Sequence, residues 1–405
     1  MHNIPEKRIG QTEFIALTGI LFATIAFSID SMLPAMSLIV AELTPDTPNR
    51  AQLIITSFVF GMGVGTLFTG PLSDTFGRKR VILGGAIIYV AGAILAYFAN
   101  SLELVLAARL LQGLGAAGPR VAALAIVRDL YSGRDMARIM SFAMIVFTLI
   151  PAIAPLAGAG IIHLIGWRGI FLAFIVFALA SNLWLGLRQP ETLPPEKRRP
   201  FNATAIFSGV IEVFAIPRVV KVILVLSLTF AMLFAMISTI QQVFDQSFDR
   251  ADEFPYWFGG VALVSGLASV LNAKIVVRLG MRRVIILTLI SQIGFSGALV
   301  LGIVTGAFGA LLLFPAYLVW MISVFFVAGL TIGNLNALGM EPLGHMAGLG
   351  TSIIGAVSTV LAVVIAIPIG MAFDGTPLPL AIGVLACSAI AWAITRMIED
   401  VAETA

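Results

Sequence analysis

The chain has 405 residues, 59% of them hydrophobic and 11% charged, with a formal net charge of +3. Soluble proteins carry about 25% charged residues, and so little charge cannot clothe a folded surface in water; a soluble globule is excluded, and a protein that crosses a bilayer many times is expected. The small basic excess does not point to nucleic acid, because the basic residues gather in turns between apolar runs, and the single cysteine, Cys387, can form no disulfide within the chain.

A helix needs about 20 apolar residues to cross a bilayer, and the first half offers such runs at 13–38, 50–73, 80–99, 102–129, 135–163 and 168–187. The first run holds Asp30 inside "AFSIDSMLPAM". An unpaired charge at the bilayer centre costs about 2.5 to 3.5 kcal/mol on insertion scales, so an acid kept there is a functional group by default. After the second run, the turn "DTFGRKRVIL" joins Gly77 to a basic cluster. The fourth run carries Arg109 and Arg120 eleven residues apart, which places them only about 20° apart around a helix. Gln112 and Gly113 lie close to that stripe. Two arginines do not face lipid, so the stripe is expected to face a central cavity, where Asp30 offsets one positive charge. The fifth run sets Pro151, Pro155 and Gly158 along one face, a pattern that kinks a helix and admits a neighbouring backbone.

The long polar stretch beginning "RQPETLPPEKRR" at residue 188 splits the spans six and six. The expected organisation is therefore a bundle over 1–187, a cytoplasmic linker over 188–217 and a second bundle over 218–405, with spans at 218–246, 254–279, 283–304, 307–337, 346–373 and 376–396. The seventh span puts Phe234, Ser238 and Gln241 on one face with Gln242 adjacent, and the tenth adds Tyr317, Trp320, Asn334 and Asn336. Singly, each reads as packing or interhelical hydrogen bonding; as a set facing a cavity, they suit a substrate with polar and aromatic surface. "VRLGMRRVII" after the eighth span repeats the turn after the second, matching Gly280 with Gly77, and weakly repeated halves are common in transporters. Nineteen of the twenty-four Lys and Arg fall on the side of the N-terminus, Lys7 and Arg8 among them, so both termini are expected in the cytoplasm.

"GPLSDTFGRKRVILGG" at 70–85 and "LAARLLQGLGAAG" at 106–118 resemble the loop 2-3 and helix 4 signatures of the major facilitator superfamily. "PAIAPLAGAG" at 151–160 resembles its helix 5 antiporter signature, with Ala154 and Ala159 standing where glycines are usual. With "SIDSMLPAM" and "EPLGHMAGLGTS", these stretches are similar to proton-coupled drug antiporters of the bicyclomycin and chloramphenicol resistance type. The resemblance implies an all-α membrane protein of twelve transmembrane helices in two six-helix bundles, working as an inner-membrane monomer. It implies proton coupling through Arg109, with Asp30 as the candidate proton carrier. It also implies a cytoplasmic gate in which Asp74 meets span 11, with Gly70, Gly77, Arg78 and Asp129 around it, and a tight contact between spans 5 and 8 at Pro151, Pro155 and Gly158. The plainer alternative for the gate residues is that their charges anchor helix ends at the membrane surface.

No enzyme is expected. "GLGAAG" at 113–118 has the wrong glycine spacing for a nucleotide loop, and His2, His163 and His345 form no metal-ligand cluster, so neither cofactor nor metal is implied. The expected partners are a small-molecule substrate, protons and membrane lipid. The leading expectation is a proton-driven exporter of small amphipathic compounds such as antibiotics. The alternatives are a gradient-driven transporter of an organic anion or zwitterion, supported by Arg120 and its surplus positive charge, and a non-transporting membrane sensor.

Overall fold

The computed structural model describes residues 9–398; His2, Lys7 and Arg8 lie outside them. Among the described residues every regular element is a helix. That uniformity follows from lipid, which offers backbone groups no partners, so each segment must satisfy its own. In chain order the helices are α1 (Gln11–Asp30), α2 (Met36–Leu43), α3 (Leu53–Phe76), α4 (Arg78–Tyr97), α5 (Leu102–Leu130), α6 (Gly133–Ile165) and α7 (Gly169–Arg188), then α8 (Ala203–Ala215). There follow α9 (Pro217–Gln242), α10 (Phe254–Leu279), α11 (Met281–Val304), α12 (Gly309–Met340), α13 (Ala347–Met371) and α14 (Leu378–Arg396). With α1 and α2 counted as one span and α8 set aside, twelve spans result, matching the expected fold class.

The first span is not the single helix expected over 13–38. It breaks at Ser31, and a 3-10 turn over Leu33–Ala35 leads into α2. Pro34 explains the break, since it has no N–H to donate and its ring clashes with the preceding turn. Asp30 is therefore the last residue of α1 rather than a mid-helix residue.

The chain divides into two compact units. One comprises the chain up to Leu43 together with Ser57–Ser208, the other Thr44–Thr56 together with the chain from Gly209 on. The division falls inside α8 and cuts across α3, whereas the sequence suggests a single divide in the linker. In the first unit, α5 is wedged between α3 and α4 at backbone distance. A Cβ at Gly113 would collide with the carbonyl of Phe58 in α3, and one at Gly115 would stand 2.5 Å from the backbone nitrogen of Tyr89 in α4. Small residues thus set the spacing, as expected where lipid supplies no hydrophobic drive between helices. In the second unit, α9 is buried along most of its length, and α12 meets α10 where a Cβ on Gly329 would lie 2.7 Å from that of Ala268.

The two matched turns share a backbone shape. Gly77 has φ +100° and ψ 152°, and Gly280 has φ +78° and ψ 155°. This region is open almost solely to glycine, so the Gly77/Gly280 match read from the sequence is a match of conformation.

Candidate functional site

The first unit holds a buried polar cluster where α1, α4 and α5 meet. Arg109 is fully buried. Its Nη2 donates to the Ser28 carbonyl at 2.9 Å and its Nη1 to Gln112 Oε1 at 3.1 Å, while its guanidinium lies 4.4 Å from the centre of the Phe58 ring. Ser28 Oγ donates to the Thr24 carbonyl at 2.5 Å, which leaves Tyr89 Oη, 2.6 Å away, to donate to Ser28. Asp30 is 4% exposed and has neither an ion-pair nor a hydrogen-bond partner among the described residues. The expectation that Asp30 offsets an arginine is thus corrected. Arg109 reaches the α1 backbone two residues before Asp30, but the helix ends at Asp30, and the arginine is held by a carbonyl, an amide and ring faces instead.

Arg120, expected on the same stripe, is half-buried, and its hydrogen-bonding contact among the described residues is with the thioether of Met62, at 3.8 Å. Gln112 Nε2 is buried without a partner among the described residues. The close approach at Gly158 is to the carbonyl of Ser31, just past the end of α1, where a Cβ would collide, so the packing that demands this glycine lies within the first unit.

At the loop joining α3 to α4, Arg78 pairs with Asp74 and lies 3.2 Å from Asp129, and its Nη1 also donates to Ser73 Oγ at 2.7 Å. Gly70 sits one turn earlier in α3, its carbonyl accepting from Ser73 Oγ at 2.9 Å. The sequence reading missed Glu191. Gly77 gives α4 no side-chain cap, so the first N–H groups of that helix need an acceptor from elsewhere. Glu191 supplies it, accepting from the N–H of Arg78 at 3.0 Å and of Lys79 at 3.2 Å. Thr192 adds a hydrogen bond to Asp129 at 2.8 Å. The missing cap was the available signal, and the acid in "PETL" the available partner.

In the second unit the expected polar face of α9 is present and buried, with Phe234 stacked on Phe230 at 5.6 Å and Ser238 returning its hydroxyl to the Ala235 carbonyl at 3.2 Å. Gln241 is also buried. Gln242 is engaged: Gln52 donates to its Oε1 at 2.5 Å, and its Nε2 donates to Asn49 at 3.2 Å. On α12 the polar groups face neighbouring helices or their own. Trp320 donates to Ser296 of α11 at 2.9 Å, Asn334 to Asn272 of α10 at 2.8 Å, and Asn336 to the Ile332 carbonyl at 2.9 Å, while Tyr317 Oη lies 3.8 Å from Met236 Sδ. In this state Trp320 and Asn334 bond across to neighbouring helices and Asn336 bonds within its own.

The family model described as Major Facilitator Superfamily matches residues 17–367. The chain belongs to the Major Facilitator Superfamily. It is 29% identical to a bicyclomycin resistance protein homolog of Haemophilus influenzae over 348 residues, 85% of each chain. It is 33% identical to a chloramphenicol resistance protein of Pseudomonas aeruginosa over 168 residues, 41% of this chain and 40% of that one. Among solved structures, the xylose transporter XylE of E. coli is similar at TM-score 0.71 and 12% identity, over 96% of this chain and 99% of that one. A human organic anion transporter, MFSD10, is similar at TM-score 0.66 and 17% identity, over 96% and 100%. At these identities the solved structures speak for the fold alone. As a Major Facilitator Superfamily member, the chain is a multi-pass membrane transporter and not an enzyme.

Proposed function

We propose that the chain is a proton-coupled antiporter that exports small amphipathic compounds such as antibiotics by alternating access, as an inner-membrane monomer with both termini in the cytoplasm. The observation that carries this reading is Asp30, a carboxyl group buried at the break between α1 and α2, without a partner among the described residues, two residues from the carbonyl that takes Arg109. A buried acid with no fixed cation changes charge according to what enters beside it, and coupling requires that response. The names of the relatives, bicyclomycin and chloramphenicol resistance, support the export of antibiotics. In this reading Asp30 and Arg109 couple protons, and Gln112, Phe234, Ser238 and Gln241 contact substrate. Asp74, Arg78 and Asp129 work the cytoplasmic gate, with Gly70 and Gly77 shaping its turn.

Asp30→Asn nearly preserves shape and removes the titratable group. In proteoliposomes under an imposed pH gradient, uphill transport is expected to vanish while the purified variant still binds the compound. Undiminished proton-driven accumulation would take Asp30 out of the coupling role. A second reading, transport of an organic anion or zwitterion, is favoured by Arg120, a half-buried residue with no carboxylate partner among the described residues.

A further inference from the structure

The linker between the two halves is not polar throughout. Its helix α8 has three distinct edges. Ile206, Gly209 and Val213 are buried, and a Cβ on Gly209 would stand 2.5 Å from the Leu349 side chain of α13. Phe207, Ile211 and Phe214 are 67%, 57% and 46% exposed. Thr204, Ser208 and Glu212 are exposed and polar, Glu212 meeting His345 at 2.6 Å. At 100° per residue, the exposed apolar edge is centred about 135° around the helix from the buried edge, with the polar edge beyond it.

Three edges in that order suit a helix lying in the corner between a protein flank, a lipid surface and water. At 13 residues the helix is about 20 Å long, too short for a hydrocarbon core of about 30 Å. Only Ile216 separates its last residue from Pro217, the first residue of the membrane-spanning α9, so its C-terminal end is anchored at the membrane boundary. Lys197 and Arg199, just upstream, are exposed and complement anionic headgroups. We propose that α8 is a membrane-surface helix whose Phe207, Ile211 and Phe214 edge is seated at the boundary between headgroups and acyl chains of the leaflet that α9 enters, its polar edge facing water.

The test uses the full-length chain with Cys387 replaced by alanine, reconstituted into phosphatidylcholine and phosphatidylglycerol vesicles. Single cysteines at Phe207, Ile211, Phe214, Thr204 and Ser208 carry a spin label, and its relaxation by oxygen, which partitions into lipid, is compared with that by a water-soluble nickel chelate. The oxygen-to-nickel ratio is expected to be several-fold higher at Phe207, Ile211 and Phe214 than at Thr204 and Ser208. Equal ratios at all five positions would place the helix in water and overturn the proposal. Low accessibility to both reagents at the three apolar positions would mean that protein covers this edge, and would overturn it equally. All five positions are exposed, so labelling leaves the fold intact, and transport activity of each labelled protein checks this.

Discussion

A guanidinium wholly removed from water keeps its charge only where polar atoms and ring faces replace the lost hydration, and Arg109 has both. Its fork reaches the Ser28 carbonyl and Gln112 while its plane lies against Phe58. A lysine cannot reproduce that fork or that stacking. Arg109→Lys is therefore expected to abolish uphill transport in proteoliposomes and to lower the melting temperature, despite the kept charge; near-normal transport would show that charge alone suffices there. Arg120 calls for a different experiment, because among the described residues its hydrogen-bonding contact is a thioether rather than a carbonyl or amide. If it meets an anionic ligand, a charge-assisted hydrogen bond of about 1.5 to 3 kcal/mol is at stake, roughly 10- to 150-fold in affinity. Arg120→Gln should weaken binding of an anionic compound by that factor and leave a neutral one within about twofold, within the scatter of such measurements. Equal losses for both ligands would mark Arg120 as structural. Charges set in apolar runs made Asp30 and Arg109 legible in the sequence. Glu191 was not, because an acid among prolines and basic residues looks like any solvated loop until the uncapped helix facing it is known.

At the scale of elements, the spans were legible because lipid forces each to be long and apolar, and the break after Asp30 was not, because Pro34 lies within an otherwise unbroken apolar run. The two repeated turns offer a controlled comparison. An alanine at either Gly77 or Gly280 must adopt a conformation that costs about 1 to 3 kcal/mol. At Gly280 the new Cβ meets nothing within 4 Å, whereas at Gly77 it runs into the Glu191 carboxylate that caps α4. Gly77→Ala is thus expected to lower the melting temperature more than Gly280→Ala. Glu191→Ala alone should also destabilise, through the lost cap, by about 0.5 to 2 kcal/mol. In the double variant Gly77→Ala/Glu191→Ala the two losses should be markedly less than additive, since the collision disappears with the carboxylate. Strict additivity would show that the Glu191 cap does not constrain Gly77.

For the whole molecule, the six-and-six organisation could be read from the sequence because the polar stretch after residue 188 interrupts twelve apolar runs. The membership of Thr44–Thr56 could not, because it depends on contacts more than 180 residues away in the chain. There Asn49 donates to the carbonyls of Met371 at 3.0 Å and Phe373 at 2.7 Å, and Gln52 and Asn49 both bond Gln242. These contacts tie the start of α3 to α9 and α13, while α3 itself runs unbroken from Leu53 to Phe76 and carries the chain into the other unit. A transporter that works by alternating access must either release that tie in each cycle or flex α3 at the division near Thr56. The unbroken helix favours release, since bending it would leave backbone groups unsatisfied in lipid. Cysteines introduced at Asn49 and Phe373, in a chain with Cys387 replaced by alanine, allow the tie to be made covalent with a short thiol-to-thiol reagent that reduction cleaves. Transport in proteoliposomes should stop on crosslinking and return on reduction, while ligand binding to the crosslinked protein persists. Full transport by the crosslinked protein would mean that Thr44–Thr56 travels permanently with the second unit, and that the hinge lies inside α3.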